Sequence, residues 1–86
     1  MGLDTINLVI AIEKEFGIEI SHADAAKLSV LGDMQDYIVK ARRQRGETPN
    51  ESRIWRRLTA VVVEQLGVRP EEVTQSADIV KDLRAD

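Results

Sequence analysis

The sequence predicts an all-α fold, a small helical bundle of three long helices and one short one. Apolar residues recur at threes and fours in separate stretches, the period that lets a helix bury one face. Residues suited to helix ends stand beside those stretches: Gly17 and Gly67 to stop a helix, Ser21 and Ser52 to start one. Of the 86 residues 43% are hydrophobic and 31% charged, and with one Trp, one Tyr and one Phe the core has to be built from Leu, Ile, Val and Ala. That length suffices for one domain, 1–86, and is too short for two that would each bury enough surface alone.

The first helix is expected from Leu3 to Phe16, where Leu3, Ile6, Val9, Ile10, Ile12 and Phe16 form one broad apolar face and Gly17 follows. Ser21 with Asp24 three residues on resembles a capping box and opens a short helical piece to about Leu28. In a third helix Leu31, Met34, Ile38 and Ala41 make the stripe, with Tyr37 beside it and Asp33, Gln35, Asp36 and Lys40 facing away. Residues 44–51, QRGETPNE, hold Gly, Pro and Asn without an apolar stripe and read as a linker. The last long helix carries Ile54, Leu58, Val61, Val62 and Leu66, capped by Ser52 and stopped by Gly67. Val61, Val62 and Val63 favour a strand locally, but the flanking spacing outweighs them. From Val68 onward Val68, Val73, Ile79, Val80 and Leu83 punctuate polar sequence, so the tail is expected to be a loop pinned back onto the bundle by these side chains.

Several function classes are excluded or disfavoured by residue type. Without cysteine there is no disulfide, thiolate nucleophile or cysteine-based zinc site. The apolar stretches fall far short of a membrane span, and no basic region followed by an apolar run opens the chain, so the expected location is cytoplasmic, with no membrane partner. His22 lacks a second histidine or paired carboxylates for a metal site. The acids Glu13, Glu15, Glu19, Glu71 and Glu72 have no evident pocket to shift a pKa, and read as solvated faces rather than as acid–base catalysts. The chain is therefore expected not to be an enzyme.

Taken in the order 52–86 and then 2–43, the sequence begins SRIWRRLTAVVVEQLGVRPEEVTQSADIVKDLRAD and continues GLDTINLVIAIEKEFGIEISHADAAKLSVLGDMQDYIV. In that order EQLGV at 64–68 with EEV at 71–73, DLRAD at 82–86, LDTINLVIAIEKEFGIEI at 3–20 and DYI at 36–38 keep the mutual spacing of landmarks in the acyl carrier protein family. The chain resembles that family in circularly permuted order: residues 52–86 resemble its first half, 1–43 its second half, and 44–51 join them. Eight extended residues reach at most roughly 26 Å, enough to connect neighbouring helix ends. A stiffer connection would instead give a swapped homodimer, so monomer and swapped dimer are both open, as is whether the permutation is natural or engineered.

The resemblance implies a role in fatty-acid or polyketide-type biosynthesis, a part of lipid metabolism, with acyl-processing enzymes as partners. Family members carry 4'-phosphopantetheine on the serine of an Asp-Ser-Leu sequence. Here Asp86 matches the aspartate, Leu3 the leucine, and Gly2 stands between them. Glycine has no hydroxyl to form the phosphodiester, so no attachment residue and no cofactor are expected on this chain. Thr5, the nearest hydroxyl, matches a family threonine that is not modified. By the same resemblance Asp86, Leu3, Asp4, Ile10 and Glu13 are partner-binding, and Ile12 and Leu28 are acyl-shielding core. Asn7 and Lys14 replace acids usual in the family, which should weaken attraction to a basic enzyme.

Charge is unevenly distributed. Seven of the twelve Lys and Arg fall between Lys40 and Arg57 beside two acids, while the other five share the rest of the chain with thirteen. With Trp55 for stacking these cations could serve nucleic acid, but no nucleic-acid motif accompanies them. A solvated linker whose cations sit at a helix C-terminus is the simpler reading, and Trp55 then lies at the core edge. The alternative function is a structural or protein-interaction module that retains only the carrier fold and uses the basic segment.

Overall fold

The computed structural model describes residues 3–85, and its order is α1 (Leu3–Phe16), α2 (His22–Ala25), α3 (Leu31–Gln44) and α4 (Glu51–Leu66), with a 3-10 turn at Pro70–Glu72. Among these residues no strand forms, and one isolated bridge joins Val30 to Asp78. The fold is all-α. Helix α4 packs against both α1 and α3. Leu8, Ile12, Leu31, Met34, Ile38, Leu58 and Val62 close the centre, all of them without solvent exposure. The core is aliphatic, as the composition requires, with Phe16 the one aromatic fully inside it.

Helix ends follow local chemistry. Gly17 and Gly67 take left-handed φ values of 64° and 68° just past α1 and α4, a conformation in which a Cβ is strained. Ser21 Oγ accepts the Asp24 N–H at 3.1 Å and caps α2, which is only one turn long and ends at Ala25, not near Leu28. α4 begins two residues earlier than the serine suggested. Asn50 is its cap, with Oδ1 accepting the Arg53 N–H at 3.0 Å, and Ser52 lies inside the helix.

α3 has no side-chain cap, and its first amides are satisfied from far along the chain. Leu31 N–H donates to Ala77 O at 3.0 Å and Gly32 N–H to Gln75 O at 2.8 Å. A Cβ on Gly32 would stand 2.9 Å from that Gln75 oxygen, so the loop can approach only because residue 32 is glycine. Gln35, expected on the outer face, is buried instead: its Oε1 accepts from Gln75 Nε2 at 3.0 Å, and its own Nε2 donates to Glu51 O at 3.2 Å. The long loop is thus sewn to α3 by backbone and amide bonds as well as by side chains. Val68, Val73, Ile79 and Leu83 are buried as expected, whereas Val80 points out at 49% exposure and Ala77 and Ala85 take inner places.

Candidate functional site

Helix α1 carries more apolar residues than the core can use. Thr5, Leu8, Val9, Ile12 and Phe16 are its buried set. Leu3, Ile6 and Ile10, spaced to lie along one face, are 71%, 39% and 42% exposed. Leu8, absent from the stripe read in sequence, is fully buried, and the residues at 3, 6 and 10 that were assigned to that stripe are not. The register of the helix face is turned by about one position.

Beside the outer stripe lies a small cavity of about 140 Å³ lined by Ile6, Val9, Ile10, Glu13, Ile20, His22 and Ala25. Its floor is held by a carboxylate. Glu13 Oε2 accepts the Ile20 N–H at 2.8 Å, and Ile18 N–H donates to Glu13 O, which brings the 17–21 segment back over α1. On the far side α2 is tied to α3 by the Tyr37 hydroxyl, which donates to Asp24 Oδ2 at 2.8 Å. That bond to a carboxylate, with some desolvation, raises the phenol above its ordinary value of 10.0.

The residues singled out in sequence separate into two groups. Leu3, Asp4 and Ile10 are exposed on α1, and Glu13 is half-buried with its carboxylate engaged as described. Ile12 and Leu28 lie in the core and are not among the cavity's lining residues. Val9, Ile20 and Ala25 line it in their place; Val9 belongs to the α1 stripe, while Ile20 and Ala25 come from beyond α1 and had no local signal. Gly2 and Asp86, the expected junction, lie outside the described residues. The Thr5 hydroxyl is buried and has no partner among the described residues.

The basic segment has a structural use that spacing alone did not reveal. Arg45 Nη1 donates to Gly17 O at 2.6 Å, and Arg57 donates to Glu15 O at 2.6 Å and to Glu15 Oε2 at 2.9 Å. The Arg57 guanidinium also lies 4.9 Å from the centre of the Phe16 ring. Two arginines therefore satisfy carbonyls at the C-terminal end of α1, where the helix dipole favours cations. Arg42 is held by Glu47 at 2.7 Å.

Among the described residues no group of His, Asp or Glu is placed to hold a metal ion, and no helix is long and apolar enough to cross a membrane. No protein-family model matches this chain, and no solved structure matches it.

Proposed function

We propose that this chain is an acyl-carrier-like module of fatty-acid or polyketide-type biosynthesis, with the halves of that family exchanged in order and with Gly2 at the position of the phosphopantetheine-bearing serine. It engages acyl-processing enzymes through α1 and cannot itself be loaded. The observation that carries this reading is the exposed Leu3, Ile6 and Ile10 stripe beside the apolar-lined cavity between α1 and α2. A carrier has to show a partner one helix while sheltering an aliphatic chain next to it, and this face supplies both an apolar contact surface and a recess. Asp4 at its N-terminal end provides the acidic character that would complement a basic enzyme.

The second reading, an interaction module without arm chemistry, is favoured by Arg53 and Arg56, both exposed and without an ion pair among the described residues. Titration against a ketosynthase-type enzyme separates the two. Replacing Asp4 with Asn and Ile10 with Ala together should weaken binding by about tenfold or more if α1 is the contact surface. Binding that ignores both changes but disappears in an Arg53→Gln, Arg56→Gln double variant would reject the carrier reading in favour of the second.

A further inference from the structure

We propose that the cleft between the end of α3, the 45–50 connection and the first turns of α4 binds a small, multiply charged anion of the phosphate type. The cleft measures about 470 Å³ and is lined by Arg42, Glu47, Thr48, Asn50, Arg53 and Arg57, with Ile54 at its base. Its chemistry is one-sided. The three arginines have only donors to offer. Asn50 has already spent its Oδ1 on the Arg53 N–H, which leaves the amide NH₂. Glu47 is the one carboxylate in the wall. Its Oε1 is taken by Arg42 Nε and Nη2 at 2.9 and 2.7 Å, and its Oε2 lies 3.6 Å from Arg45 Nε.

Two of the guanidiniums are fixed in place before any ligand arrives. Arg42 is held by Glu47 through Nε and Nη2, and Arg57 by Glu15 through the same two atoms, so each retains its Nη1. Arg53 is exposed and makes no side-chain hydrogen bond or ion pair among the described residues. Three cationic side chains, two of them pre-oriented, thus surround a recess whose single carboxylate is already engaged by Arg42. A compact oxyanion supplies several acceptors at once and gains charge-assisted bonds to planar guanidiniums, which suit phosphate geometry. A concave site of this size favours a free anion over a headgroup in a flat lipid surface.

The test is a pyrophosphate titration of the isotopically labelled full chain by amide NMR, with sodium chloride adjusted to hold ionic strength constant, repeated with inorganic phosphate. Saturable shifts centred on residues 46–57 are expected, with pyrophosphate the tighter. Arg53→Gln should weaken binding by about tenfold without moving the thermal midpoint. Arg56→Gln removes the same charge from a residue that lines a different depression, next to Trp55, and should leave the affinity within about twofold. Equal losses from the two variants would reduce the effect to diffuse surface charge and overturn the proposal. So would an absence of saturable shifts, or binding to phosphatidylglycerol vesicles with no response to pyrophosphate.

Discussion

Helices α1 and α4 are amphipathic helices of similar length packed on one another, yet they spend their apolar residues differently. On α4 Ile54, Leu58, Val61 and Val62 are buried, and Trp55, Val63 and Leu66 pack at the edge of the core. Its outer face is left to residues such as Arg53, Arg56 and Glu64. On α1 a buried set of the same kind is accompanied by Leu3, Ile6 and Ile10 in solvent. Isolated exposed apolar side chains are ordinary; three at helical spacing beside a recess are less so, and the proposed contact surface rests on them. α4 buries its apolar residues, whereas α1 leaves three of its own in solvent.

The largest test of that division is a pair of truncations. Leu58→Ala removes a fully buried side chain from α4 and should lower unfolding stability in a denaturant titration by about 2–5 kcal/mol. Leu3→Ala, on the exposed stripe of α1, should change it by no more than about 0.5 kcal/mol. Comparable losses at both positions would mean that the outer stripe is packed and would break the distinction.

A smaller effect is expected where the two helices are pinned together. Arg57→Met keeps much of the aliphatic stem over Phe16 but removes the bonds to Glu15 and the cation over the ring. The loss should be about 0.5–1 kcal/mol, and part of it should vanish in high salt because the pair is half-exposed. A loss that salt leaves untouched would point to packing rather than charge.

The smallest effect concerns the loop that precedes the expected junction. Asp78 Oδ1 accepts the N–H groups of Lys81 and Val80, and these bonds, Lys81 first, lower its pKa below the ordinary 3.8. A carboxyl depressed in the folded state adds stability above its unfolded value and loses it as pH falls through the folded one. Loop 78–82 should therefore loosen below about pH 3.8. Amide-proton shifts of Val80 and Lys81 would follow it, and Asp78→Ala should abolish the titration.

Much of this architecture was legible in the sequence, because helical spacing and terminal glycines act locally. The helices, the stops at Gly17 and Gly67 and the aliphatic core needed no knowledge of distant residues. What escaped was set at long range. Gln35 reads as a surface residue until Gln75, forty positions on, comes to meet it. Arg45 and Arg57 read as solvated charge until the end of α1 lies within reach. The candidate site divides in the same way: spacing foretold the helix that carries Leu3 and Ile10 but put them on its buried face, whereas Ile20 and Ala25 join the cavity where the Glu13 carboxylate accepts the Ile20 amide, a bond with no sequence signature.

The most direct measurement is intact mass spectrometry of the chain and of its Gly2→Ser variant after incubation with coenzyme A and a broad-specificity phosphopantetheinyl transferase. The account predicts no added arm on the native chain and one arm on the variant, since on the carrier reading only the hydroxyl is missing. An arm on the native chain, or none on a folded Gly2→Ser variant, would contradict it.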